Sequence, residues 1–236
     1  MASQFGILSK LNFLQDFASL LIAKINPAII HNIEKYYILK KVHYLSAIED
    51  VRGDYLEFGV FTGSSFCHSL RCCRSASKIN PNVLNTKYYG FDSFSGFGEI
   101  SEDDEHPFYT DENFSTNFKK VNNRVKKVSG SIEYQLVPGF FSESLSSGAK
   151  NLGIESSSII FIDSDTYSSA SEALTFCTPT LQFGTFIILD DYYSYKGSND
   201  RGVKKAFAEF VDKANIKVRR VFTYGMGGAV YVVADK

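Results

Sequence analysis

Glu57-Phe58-Gly59-Val60-Phe61-Thr62-Gly63-Ser64-Ser65 is the stretch that decides the fold. A short apolar run, Tyr55-Leu56-Glu57-Phe58, leads into it, and a segment with helical spacing, residues 65–75, leads out. Strand, glycine loop, helix is the opening unit of an open α/β sheet, in which glycine lets backbone approach a ligand closely. The spacing is GxxxG. It is neither the GxGxxG of dinucleotide enzymes nor a phosphate loop, since no Lys follows the second glycine. A tight turn without a ligand has a similar composition, but the flanking strand and helix favour a binding loop. On that reading Glu57 lies near a ligand's amino group.

Outward from the loop the chain alternates. Apolar strands are predicted at 87–91, 133–137, 158–162 and 185–189, and a strand pair at 218–223 and 229–234, joined by Gly225-Met226-Gly227-Gly228. Helices are predicted at 114–127, 172–181 and 202–214. Ile159-Ile160-Phe161-Ile162 and Phe186-Ile187-Ile188-Leu189 are apolar without alternation, as in central parallel strands covered on both faces. The pattern predicts an α/β protein with a mostly parallel seven-stranded sheet and one antiparallel strand from the C-terminal hairpin. Upstream, residues 4–25 and 28–50 read as two helices broken near Asn26-Pro27. They form an N-terminal helical extension (1–50) ahead of the α/β domain (51–236).

With 236 residues, 44% hydrophobic and 22% charged, the chain suits one such domain. A net charge of −1 provides no field for nucleic acid. Cys67, Cys72, Cys73 and Cys177 form no CxxC or finger spacing, and read as reduced thiols of a cytoplasmic protein. Leu11 to Ile30 is apolar-rich but interrupted by Asp16 and Lys24. No transmembrane segment is expected, while peripheral contact with a membrane stays open.

Four strands end at or beside a carboxylate: Glu57, Asp92, Asp163 and Asp190. Ligands of open parallel sheets bind outside the carboxyl ends of the strands, so these acids are expected at one site. A lone Asp there is as well explained by a cap or turn; four in one chain are not. Asp92, with Ser93 beside it, suits both hydroxyls of a ribose, against the alternative of a turn through Gly96. Gly139-Phe140 suits the packing of an adenine ring, or Phe140 is a core aromatic. Asp163-Ser164-Asp165 and Asp190-Asp191 crowd carboxylates that need a cation, a shared proton or water between them. Asp163, Asp190 and Asp191 suit Mg²⁺, a hard ion that lowers the pKa of a bound hydroxyl; the alternative is a pair of solvated turns. No histidine cluster is evident; His43 and His68 read as packed or surface residues. The acidic stretch 98–112 reads as a solvated loop.

The order of these motifs, with Tyr89-Gly90-Phe91-Asp92-Ser93-Phe94-Ser95-Gly96, Gly139-Phe140-Phe141-Ser142-Glu143-Ser144-Leu145, Ile162-Asp163-Ser164-Asp165-Thr166-Tyr167-Ser168-Ser169, Gly184, Asp190-Asp191-Tyr192 and Gly202-Val203-Lys204-Lys205-Ala206, resembles the macrocin/mycinamicin-type O-methyltransferases over residues 35–236. The resemblance implies a Rossmann-like class I methyltransferase that uses S-adenosylmethionine and Mg²⁺ to methylate a hydroxyl of a sugar, glycan or glycosylated natural product. It implies a cofactor surrounded by Glu57, Gly59, Asp92 and Phe140. The rest of the loop (Val60, Phe61, Thr62, Gly63, Ser64, Ser65) with Ser93, Gly139 and Asp163 completes that set. It implies Mg²⁺ on Asp163, Asp190 and Asp191, with Asp163 or Asp165 as the base. Phe61-Thr62 replaces the family's usual Trp-Arg-like pair, and Thr166 its usual Leu. Tyr167, Tyr193 and Tyr195 are candidates for stacking on a sugar. The acidic loop and N-terminal helices are expected to close over the acceptor, and the apolar helices to pair protomers in a homo-oligomer. Two rival readings are a nicotinamide-dependent oxidoreductase, disfavoured by the missing GxGxxG, and a catalytically silent partner subunit, disfavoured by the intact Asp cluster.

Overall fold

A computed structural model of the chain describes residues 10–110 and 114–235. Parts of two expectations, the helix at 4–9 and the acidic residues 111–112, lie outside the described residues. Seven strands form one sheet: β1 Asp54–Phe58, β2 Tyr88–Asp92, β3 Tyr134–Pro138, β4 Ser157–Ile162, β5 Phe186–Leu189, β6 Lys217–Tyr224 and β7 Gly228–Asp235. Their order is β3-β2-β1-β4-β5-β7-β6. The first five strands run parallel, and β7 inserts antiparallel between β5 and β6. This is the expected α/β architecture. The chain builds outward from β1 in one direction and from β4 in the other, so the switch point lies between them.

Alternation along each central strand sorts side chains to two covered faces. Leu56, Phe58, Ile160, Ile162, Ile187 and Leu189 pack in one core cluster with α5 (Phe141–Ser144), α6 (Tyr167–Cys177) and α7 (Gly202–Ala214). Tyr55, Ile159, Phe161, Phe186 and Ile188 pack in the other, with α2 (Pro27–Ile48), α3 (Ser64–Ala76) and α4 (Phe118–Ser129). Helix α1 (Asn12–Lys24) buries no residue, whereas α2 lays Lys35, Ile38, Leu39, Val42 and His43 against the sheet. Asn26 caps α2 by accepting from the Ala28 N–H, and Pro27 takes the first-turn position. Among the described residues no single helix is long and apolar enough to cross a membrane. All four cysteines are buried, unbridged thiols.

Two helices are shifted from expectation, each for a local reason. The basic helix α4 starts at Phe118 because Asn117 accepts from Lys120 N–H and caps it. The helix predicted at 172–181 spans Tyr167–Cys177 instead. Thr166 caps its start, and Pro179 closes its end in a 3-10 turn. A second cap comes from far away. Asp104, in the stretch read as a solvated loop, is only 1% exposed and accepts from the N–H groups of Tyr167 (2.8 Å) and Ser168 (3.3 Å). The Tyr195 hydroxyl and the Arg201 guanidinium hold the same segment through the carbonyls of Asp104 and Asp103. Its neighbours Glu102, Asp103 and Glu105 are exposed. The loop is therefore latched to α6 by the buried Asp104, at the positive end of the helix dipole.

Asp104→Ala is expected to lower unfolding free energy by about 1–2 kcal/mol, the cost of a lost N-cap. Urea titration of both proteins measures it, and an unchanged midpoint would show the latch to be energetically idle.

Candidate active site

The carboxyl ends of β1, β2, β4 and β5 are locked in step by backbone hydrogen bonds that continue one residue past the strands. Gly59 N–H reaches Phe91 O, Asp163 N–H reaches Phe58 O, and Asp190 N–H reaches Ile162 O. Gly59 has φ +94°, and a Cβ there would overlap the Asp163 carbonyl oxygen. Phe61 and Asp165 adopt left-handed φ values of 47° and 63° without being glycine. Such positions cost of order 1–3 kcal/mol and tend to cluster at functional sites.

The predicted cofactor residues divide by position. Gly59, Phe61, Asp92, Ser93, Phe140 and Asp163 line one cavity together with Ser164 and Asp165. Asp92 accepts from the N–H groups of Phe61 (2.7 Å) and Phe94, so its carboxylate ties the loop after β1 to the loop after β2. The turn and the cavity wall are thus one arrangement. Phe140 is 40% exposed and faces Gly98, while Gly139 turns the chain at φ +134°. Ser164 Oγ is buried and has no hydrogen-bond partner among the described residues. Val60 is in the core, Gly63 is the left-handed residue that starts α3, Ser64 opens the helix, and the Thr62 carbonyl accepts from Arg124. Glu57 and Ser65 are buried beneath the loop rather than in the cavity wall. Ser65 Oγ (2.6 Å) and the Tyr55 hydroxyl donate to the Glu57 carboxylate. Burial pushes Glu57 up to about 7, against those two hydrogen bonds.

A second cavity of about 590 Å³ opens beside the first, within the range of small-molecule sites. His31, Asn32, Lys35, Phe108, Tyr109 and Tyr193 are among its walls. The two cavities share Gly59, Phe61, Phe114, Asp163 and Asp165. Of the three tyrosines considered for sugar stacking, only Tyr193 faces this space. Tyr195 bonds the acidic loop and Tyr167 donates to Glu209.

At the junction stand the crowded acids. Carboxylate oxygens of Asp163, Asp190 and Asp191 lie within 4.8 Å of one another. Residues 161 and 163, and likewise 188 and 190, project toward α2, and there Lys35 meets them. Its Nζ is 3.0 Å from Asp163 Oδ2 and 2.6 Å from Asp190 Oδ2, and 5.7 Å from the centre of the Phe161 ring. Burial alone would lower the Lys35 ammonium, but the two carboxylates outweigh burial and hold it raised. Asp190 is correspondingly lowered: burial opposes its charge, and Lys35 and His31 overcome that. Tyr224 donates to Asp190 Oδ1 (2.6 Å), and His31 Nε2 lies 3.1 Å from Oδ2. His31 Nδ1 accepts from Met226 N–H, which leaves the ring proton on Nε2, facing Asp190.

Asp163, Asp165 and Asp191 are all raised, by burial first and then by the neighbouring carboxylates. Asp191 Oδ1 is met by Tyr109 and Ser194, but Oδ2 is buried without a partner among the described residues. Three convergent oxygen donors and one orphaned carboxylate oxygen fit a divalent cation.

Sequence reading missed Lys35, His31, Tyr109 and Tyr224. Lys35 had a signal: it falls on one helical stripe with Ile38, Leu39 and Val42, a charge on an apolar face.

A profile of the macrocin-O-methyltransferase family matches residues 36–222. Mycinamicin III 3''-O-methyltransferase of Micromonospora griseorubida is 29% identical over 159 residues, which is 62% of this chain and 58% of that protein. Among solved structures, the O-methyltransferase NovP superposes with TM-score 0.66 at 19% identity, covering 84% of this chain and 79% of its own. An O-methyltransferase of Bacillus cereus, solved with SAH, gives 0.54 at 15% identity over 97% and 90%. At these identities the structures show the fold, and the fold is that of class I O-methyltransferases. The profile, which runs from the middle of α2 to β6 and takes in both cavities' shared walls, carries the conclusion that this chain belongs to the macrocin-O-methyltransferase family.

Proposed function

We propose that the protein transfers the methyl group of S-adenosylmethionine to a hydroxyl of a sugar or glycosylated natural product. The observation that carries this reading is the junction of the two cavities. A sulfonium in the first and a hydroxyl in the second would face each other across Gly59 and Phe61, with Asp163 and Asp165 alongside. The mycinamicin relative, whose printed activity is 3''-O-methylation, supports a hydroxyl acceptor, and the aromatic walls Phe108, Tyr109 and Tyr193 suit the apolar face of a sugar ring. The Asp92 bridge and the Gly59 approach hold the cofactor cavity open. The raised carboxylates of Asp163 and Asp165 suit them as proton acceptors, and the one that takes the hydroxyl proton as the oxygen attacks is the base. Most of the acceleration on this reading is positioning.

Asp163, Asp190 and Asp191 would hold Mg²⁺, which when bound acidifies and orients the acceptor hydroxyl. The buried free thiols support a reducing compartment, so the reading puts the enzyme in the cytoplasm. The exposed Phe13 and Phe17 of α1 support its pairing with another protomer.

Gly59→Ala is expected to weaken S-adenosylhomocysteine binding by more than about tenfold in calorimetry, because the added methyl displaces Asp163. Undiminished binding by the folded variant, or none by the unmodified protein, would remove the cofactor assignment. Asp191→Ala is expected to keep that binding and lose Mg²⁺-stimulated product release; full activity in the variant would sink the metal role.

A further inference from the structure

Lys35 stands where a positive charge is needed, and it is carried by a different part of the chain from the acids it serves. Its side chain is 11% exposed, and it bonds Oδ2 of both Asp163 and Asp190, two of the three carboxylates that suit the ion. The remaining oxygen of Asp190 is taken by Tyr224, and its Oδ2 also faces His31. Both oxygens of Asp190 are thus engaged while Lys35 stays in place. Asp191 Oδ2 is buried without a partner among the described residues. Magnesium–oxygen contacts are short, about 2.1 Å. An ion on the same oxygens would crowd an ammonium of like sign in a dry pocket, where repulsion is poorly screened.

We propose that Lys35 is a tethered competitor of the divalent cation: ammonium and ion are alternative partners of the Asp163–Asp190 pair. The inference rests on the metal-assisted reading above and deepens it. Lys35 belongs to α2, which also contributes His31 and Asn32 to the wall of the acceptor cavity. His31 and Glu34 tie α2 to the turn between β6 and β7, through Met226 N–H and Gly225 N–H. Entry of the ion therefore withdraws one anchor of that wall, and Lys35 links metal loading to the shape of the acceptor cavity. Lys35 is a positioning residue on this view. It acts on the acceptor through the carboxylates and through α2.

The test is Mn²⁺ binding to the full chain, read by calorimetry and by loss of the free-ion electron paramagnetic resonance signal. Lys35→Met is expected to bind Mn²⁺ at least tenfold more tightly than the unmodified protein. Lys35→Arg, which keeps the charge, should bind as weakly as the unmodified protein. Without added ion, Lys35→Met should melt below the unmodified protein, and Mn²⁺ should restore it. S-adenosylhomocysteine affinity, read in parallel, should not move, since Lys35 does not line the first cavity. If Lys35→Met does not fold, Lys35→Gln is read the same way. Tight Mn²⁺ binding in the neutral variant with none in the unmodified protein supports the inference in its strongest form. Equal or weaker binding in the neutral variant overturns it and leaves the metal reading standing. Absence of saturable binding in every folded variant overturns both.

Discussion

Everything at the carboxyl edge of this sheet is arranged around one electrostatic constraint: four carboxylates, Asp163, Asp165, Asp190 and Asp191, meet in a space too dry to keep them all charged. Burial of a carboxylate without compensation is expensive, and like charges at close range worsen it. The protein answers unevenly. Asp190 receives a lysine, a histidine and a tyrosine and is held ionised. The other three are left with raised proton affinity, and Asp191 Oδ2 is buried without a partner among the described residues. That imbalance makes the cluster receptive to a proton or a cation, the two things a hydroxyl-activating site must handle.

The backbone imposes the second condition. Gly59 can pass the Asp163 carbonyl only because it lacks a Cβ, and the left-handed Phe61 and Asp165 flank that contact. Gly59, Phe61 and Asp165 are all shared by the two cavities. The backbone-constrained part of the site is therefore the wall between the two cavities, while the outer walls come from helices and loops.

The fold was legible because its signals are local. Unalternating runs such as Ile159–Ile162 announce central parallel strands, and a glycine loop between strand and helix announces the binding edge. The acids at the strand ends were legible for the same reason, since the sheet's regular register brings them to one edge. Less legible were the interactions that join distant segments. Asp104 looked like one charge among many in an acidic stretch, and only the fold reveals that it caps a helix 63 residues away. Lys35 is a charge on an apolar helical stripe, and its partners become evident only with α2 packed against the sheet beside β4. Glu57 is expected from sequence near a ligand's amino group, but its place in β1 puts it under the loop, where Tyr55 and Ser65 donate to it.

The insertion of β7 between β5 and β6 bears on the order in which the molecule can be made. Until residues 228–235 have been synthesised, β5 has a neighbour on one side only, and its other edge, in a wholly apolar strand, is open to pairing with other chains. The turn that steadies His31 and Glu34 arrives at the same moment, 191 residues after Glu34 itself. Contacts of such sequence separation are slow to form. The nascent chain thus carries α2 without that anchor until the hairpin is made, and an unpaired β5 edge from residue 189 to residue 228; the hairpin that completes the wall of the second cavity also closes that edge.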